Sequence, residues 1–377
     1  MTRIGRRAVF GLIGFAAAPP AFLAAPAAAD TATLPSGPTP GSTPAFLSAA
    51  ADEEGRWRAV AFGLDGSPRF DIPLPARGHG AAVSPDGGIA VLFARRPGSY
   101  AQLLHPTQGR VGQMLQRATG RWFCGHGCFS ADGGLLYATE LDDDGEGVVG
   151  VYSVPRGFAR IGEFPTGGAD PHDIRLTPDG RALWVANGGI RTDPSVPRTR
   201  LDLETFESGI ALIDAASGRA LSKRALDGEE GTLSLRHLAL DADGALYVAM
   251  QHEGPRFERP PLVAATTADG LAQLEAADDV WRGLDHYTGS AAAGQGGEVI
   301  AVTSPRGGRG LLIEARSRRV VSSFAMPDGC GVAAAPGGFV VTSGLGRVAL
   351  VDAGATPRDL AAAWLGRLRW DNHLVGL

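Results

Sequence analysis

The strongest constraint on this chain is a short passage that returns along it. From His172 it reads Asp-Ile-Arg-Leu-Thr-Pro, then Asp179-Gly180, then Arg-Ala-Leu-Trp-Val-Ala to Asn187. Alternating apolar positions mark half-buried strands, and an Asp-Gly pair between two such runs signals a hairpin, the pair supplying left-handed backbone angles. The passage recurs from His79 to Asp86-Gly87, from His126 to Asp132-Gly133 and from His237 to Asp243-Gly244. Weaker copies open at His286 and Cys330, and the chain ends on the opening of one more, at His373. Successive openings are 47, 46, 65, 49, 44 and 43 residues apart. A period of roughly 50 residues suits one four-stranded blade of a β-propeller.

The sequence therefore predicts an all-β, seven-bladed propeller over residues 46–377. The hairpin supplies strands A and B of each blade, and two further apolar runs supply C and D. The last copy holds only strand A; its B, C and D are found at 46–51, 57–64 and 69–74. The N-terminal strands are thus expected to pair with the C-terminal one, closing the ring and removing free sheet edges. The 54 Gly and 26 Pro fit many short elements joined by turns.

Ahead of this domain stand Arg3, Arg6 and Arg7, an apolar run over 8–18, and Ala27-Ala28-Ala29 before Asp30. Residues 1–29 read as a signal peptide, with Arg6-Arg7 as a twin-arginine signal, and 30–45 as a flexible leader. The expected compartment is the periplasm. No transmembrane segment is expected after signal removal, since Pro and Gly interrupt the apolar run before the roughly 20 residues a span needs. Cleavage leaves 32 Lys and Arg against 40 Asp and Glu, a balance that argues against nucleic-acid binding. The single lysine, Lys223, speaks against Schiff-base or P-loop chemistry, and no Gly-x-Ser-x-Gly elbow supports a serine hydrolase.

Six of the eight histidines open a strand A: His79, His126, His172, His237, His286 and His373; Cys330 takes the seventh place. Strand A is innermost in a blade, so these residues are expected to encircle the mouth of the axial channel. Imidazole and thiolate are ligands for iron, copper or zinc. A polar substrate or an anion held by the ring, and a purely structural role repeated in each blade, are the alternatives. Arg236, Gln251, Asp173, Asn187 and Glu140 are expected to line the mouth, with the long 188–208 loop partly covering it. Cys124 and Cys128, if extended, lie roughly 13 Å apart, too far for a disulfide, and read as buried free thiols.

The passage from Pro171 to Ile190 resembles YVTN/WD40-like repeats. Together with Gly125-His126-Gly-Cys-Phe-Ser-Ala-Asp-Gly, Leu235-Arg236-His237 and Trp370-Asp-Asn-His373, it resembles an exported bacterial propeller family known only as a domain of unknown function. That resemblance implies a role in periplasmic iron or metal handling, beside imelysin-type or haem-containing partner proteins. It supplies no catalytic residues. Similarity to sugar lactonases among YVTN-like propellers offers a metal-dependent hydrolase instead, with Glu140, Arg175 and Arg236 as available groups; a protein-interaction platform with an empty channel is a third reading.

Overall fold

In the computed structural model, residues 45–191, 207–226 and 232–377 are described. The expected signal peptide, the leader up to residue 44 and most of the 188–208 loop lie outside them. The repeated hairpins are built by side-chain chemistry local to each turn. Ser84, Ser130 and Thr177 each donate a hydroxyl to the turn aspartate two residues on, Asp86, Asp132 and Asp179, at 2.6 Å. The same carboxylates accept the amides of Gly88, Gly134 and Arg181. Only the glycines are left-handed, with φ of 68°, 70° and 71° at Gly87, Gly133 and Gly180. The aspartates are not, so these are longer loops built on an i→i+3 turn, as Gly87 N–H to Ser84 C=O shows, rather than two-residue hairpins.

These hairpins lead antiparallel sheets, seven among the described residues. The innermost strands are Gly78–Val83, Arg121–Phe129, Pro171–Leu176, Leu233–Leu240, Ser290–Ala293 and Gly329–Ala335 for the first six blades. The seventh inner strand comes in two pieces, Arg369–Trp370 and Val375–Gly376, both pairing with Ala45–Ala51. Ala45–Ala51 is followed outward by Trp57–Gly63 and Pro68–Pro73. Each inner strand packs on the next around the complete circle, the last on the first. The protein is a seven-bladed β-propeller whose closing blade is assembled from both ends of the domain.

The core lies between blades rather than within one. Phe46, Phe62 and Trp370 of the closing blade meet Ala333 and Val340 of the sixth. Leu47 and Phe70, on the other face of the same sheet, meet Leu92 and Leu104 of the first. Equivalent clusters join the first blade to the second and the second to the third. Outer strands such as Arg319–Ala325 alternate exposed and partly buried residues, as expected where one edge faces water. Among the described residues, no helix is long and apolar enough to cross a membrane.

One sequence expectation shifts here. The fifth inner strand begins at Ser290, four residues beyond His286. Counting back from the turn explains the difference. In the other hairpins the histidine stands four or five residues before the turn-opening residue, Ser84, Ser130, Thr177 or Asp241; from the equivalent Gly294, that count reaches Gly289 or Ser290.

Candidate metal centre on the propeller axis

The inner strands are irregular where the histidines stand. Register shifts occur between Gly78 and Ala81, Phe123 and Gly127, Pro171 and Asp173, and Leu235 and His237. In the seventh blade, His373 falls in the gap between the two strand pieces. A bulge re-aims a side chain away from the pleat, and here it turns imidazoles toward the axis. The released carbonyls are satisfied by hydroxyls of the next strand: Thr139 donates to His126 C=O at 3.1 Å and Ser48 to His373 C=O at 2.6 Å.

Five histidines converge: His79, His126, His172, His237 and His373. Ring centroids are 4.3 Å apart for His79 and His373, 4.5 Å for His126 and His373, 4.8 Å for His172 and His237, and 4.8 Å for His237 and His373. One ligand nitrogen from each of His79, His126 and His172 lies within 4.8 Å of the others, and so does the set His126, His237 and His373. All five are buried. Burial holds His126, His172, His237 and His373 well below the usual imidazole range, reinforced by their histidine and arginine neighbours, and lowers His79 less because Asp371 opposes it. The cluster is therefore neutral at pH 7, each ring carrying one lone-pair nitrogen.

Glycines make this crowding possible. A Cβ on Gly80 would lie 2.6 Å from the Gly125 carbonyl oxygen and 2.8 Å from His126 Nδ1; one on Gly125, where φ is +101°, would lie 2.6 Å from His79 Cδ2. Gly80→Val is accordingly expected to displace His126 while leaving the far blades folded. A variant that binds metal as well as the parent in side-by-side elemental analysis would show that His126 needs no fixed seat.

Carboxylates stand behind the imidazoles. His79 Nδ1 donates to Asp371 Oδ1 at 2.8 Å, and Arg77 Nε holds the other oxygen at 2.6 Å. Burial pushes Asp371 up, but His79 and Arg77 outweigh it and hold the carboxyl below its ordinary range. His79 then presents Nε2 to the axis, 3.2 Å from His373 Nε2. His126 Nδ1 is 3.5 Å from Asp173 Oδ1. The hydrogen-bonded pair at His79 is of the kind that fixes the tautomer and raises the basicity of a metal-ligating nitrogen. His172 differs: its Nδ1 accepts from Arg236 Nη1 at 3.1 Å, so in the neutral ring the proton resides on Nε2.

The other sequence-derived site residues separate. His286 is not in the cluster: it stacks on His252 at 5.3 Å, with Nδ1 to Nδ1 at 3.0 Å, and Arg259 donates to its Nε2 at 2.7 Å. Its backbone, at φ +62°, carries it off the axis before the strand starts. Cys330 is also outside, packed against Gly289, and burial pushes its thiol well up. Cys124 and Cys128 are free thiols; burial pushes Cys124 well up and Cys128 up to about 12. Glu140 is buried inside the second blade, accepting from Tyr152 and, at 2.8 Å, from Arg160. Asn187 is buried, donating to Thr166 C=O at 3.0 Å. Asp173 sits beside His126 and accepts from Leu238 N–H at 3.0 Å. Of the five expected mouth residues, only Arg236 and Gln251 line the cavity above the cluster.

That cavity, about 360 Å³, is floored by His79, His172 and His237 and walled by Arg95, Arg96, Arg306, Tyr287 and Glu253. A second cavity of about 300 Å³ lies against His126 and His373, lined largely by small residues of inner strands together with Arg175. Glu140, Arg175 and Arg236 thus occupy three separate places, and a hydrolase relying on all three together has no common site. The arginines at 95, 96 and 306 escaped the sequence reading because they come from loops of different blades; their only linear sign is a position just after a strand B.

The sequence model of the family described as "Protein of unknown function (DUF1513)" matches residues 72–377. The chain belongs to that family. No functionally curated protein matches it. Among solved structures, family resemblance is confined to fold. The protein is similar to Kuenenia stuttgartiensis hydrazine synthase, at 14% identity and a TM-score of 0.61, covering 81% of this chain and 94% of that one. It is similar also to a functionally unknown protein from Desulfotomaculum acetoxidans DSM 771, at 10% identity and a TM-score of 0.62, covering 89% and 99%.

Proposed function

We propose that this propeller is an exported metal-binding protein that holds one transition-metal ion at the axial histidine cluster. The observation that carries the reading is an unpaid cost in the cluster itself. His126 Nε2 and His237 Nδ1 are buried nitrogens with no hydrogen-bond partner, and each such group costs about 1–3 kcal/mol. Apolar side chains would fill the same space without that cost, which favours a bound ligand over a purely structural ring. A cation accepting their lone pairs removes that cost. An all-imidazole set suits zinc, copper or iron. His126, His237 and His373 form one set within ligand distance of one another and are the proposed ligands. In the second set, with His79 and His126, His172 has its Nδ1 taken by Arg236 and, protonated on Nε2, is better placed to donate a hydrogen bond beside the metal. The fold supplies rigidity, not a reaction, and no catalytic residue is assigned.

The signal-like N-terminus supports a periplasmic location, and the sequence resemblance supports an accessory role in iron or metal handling beside imelysin-type or haem-containing proteins. The full chain, produced with iron, copper and zinc supplied and purified without chelators, is expected to carry about one ion per chain by elemental analysis. His126→Ala removes it. Asp371→Asn, which keeps the imidazoles but loses the charged partner that orients His79 against His373, weakens affinity by roughly 10- to 100-fold. Metal-free protein whose melting temperature responds neither to added metal nor to chelator would end this reading.

A further inference from the structure

We propose that the vestibule above the cluster is a binding site for a small multivalent oxyanion, held by Arg95, Arg236 and Arg306. Four guanidinium groups line this cavity, against a single lining carboxylate, Glu253. Asp170, behind the wall, answers only part of that charge. It pairs with Arg96 and, at 3.1 Å, with Arg236, so one carboxylate is shared by two cations. Among the described residues, Arg95 makes no side-chain ion pair or hydrogen bond. Arg306 lies over the Tyr287 ring at 4.4 Å, a contact that orients the guanidinium without neutralising it.

Arg236 is the second and independent sign. It is only 4% exposed, and its buried Nε has no hydrogen-bond partner. A buried, under-satisfied guanidinium is costly, and a ligand that accepts from it offsets that cost. Arginine presents a planar fork that matches carboxylate and phosphate oxygens pairwise, which lysine does not. His172 on the cavity floor holds the Arg236 fork in place through its Nδ1. The volume, about 360 Å³, admits a compact ligand and excludes a folded partner.

The charge is also local. The chain as a whole carries a formal net charge of −5, so a concave cationic patch on it focuses field toward anions. A free divalent cation is repelled at such a mouth. An anion, or a metal carried as an anionic complex, is drawn in. That the anion would sit directly over a metal rests on the function proposed above; the anion site itself stands on the arginines alone.

The test is calorimetric titration of the full chain, dialysed free of metal, with citrate (a tricarboxylate), inorganic phosphate and acetate. Citrate, phosphate or both are expected to bind at one site per chain, at least 100-fold more tightly than acetate. Citrate alone identifies a polycarboxylate ligand, and phosphate preferred over citrate identifies an inorganic one. Arg95→Gln and Arg306→Gln each weaken binding by 10-fold or more, with melting temperature and metal content unchanged. Failure of both multivalent anions to bind overturns the proposal. So does binding that survives both substitutions, or binding seen only after metal is loaded, since the ion and not the arginines would then be the receptor. A metal-free protein that binds citrate normally would leave this site intact even if the metal reading failed.

Discussion

Deleting residues 373–377 is expected to lower the melting temperature by roughly 10 °C or more, far beyond the effect of trimming an ordinary chain end. The deletion removes the ladder pairs of Val375 with Leu47 and Gly376 with Phe46, and the Leu377 N–H bond to Ala45 C=O at 2.9 Å. It strips buried Leu374 and the half-buried Val375 and Leu377 from the clusters on both faces of the closing blade. Each buried aliphatic side chain contributes about 1.5–3 kcal/mol, and a new free edge is exposed beside Ala45–Ala51. Thermal melts of the truncated and full chains check this. A shift within about 2 °C would mean the ring does not depend on its terminal strand.

Acidification is expected to have the second large effect. In the unfolded chain an imidazole takes a proton near pH 6.5. In the fold, burial holds His126, His172, His237 and His373 well below that. Below about pH 6.5 the unfolded state therefore binds more protons, and stability falls with pH by up to about 1.4 kcal/mol per pH unit for each histidine that stays neutral. Above pH 7 both states are neutral and these groups impose no slope. Asp371, held low by its partners, loses its contribution only at more acid pH, as the carboxyl itself titrates. Denaturation of metal-free protein between pH 7 and 5 should reveal the slope, and His126→Gln with His237→Gln should flatten it. A stability flat across that window would show that the imidazoles take up protons in the fold as readily as in the unfolded chain.

Much of this architecture was legible in the chain because its signals are local. Each turn carries a hydroxyl, an aspartate and a left-handed glycine within a few residues, and the unmatched strands at the two ends could be paired by counting. The axial convergence of His79, His126, His172, His237 and His373 followed from the same periodicity. His286 lies off the axis because the repeat follows the turn and His286 stands eight residues before Gly294. Cys330 keeps the phase of His79, after Gly329 at the matching register shift, yet packs against Gly289. Glu140 misled for another reason, since a carboxylate consumed by Tyr152 and Arg160 in the next strands looks the same in sequence as one facing a channel. The cationic vestibule was hidden because Arg95, Arg236 and Arg306 are brought together only by ring closure.

The closing blade also sets an order of events. His373 and its neighbour Asp371 belong to the closing strand, and Asp371 anchors His79 from 292 residues further along the chain. The other four histidines of the cluster precede them in the chain, so the fifth imidazole and the carboxylate reach the axis only when the seventh blade closes. The five-histidine cluster is therefore assembled by ring closure, and a chain that stops before Asp371 lacks both the carboxylate and the last imidazole.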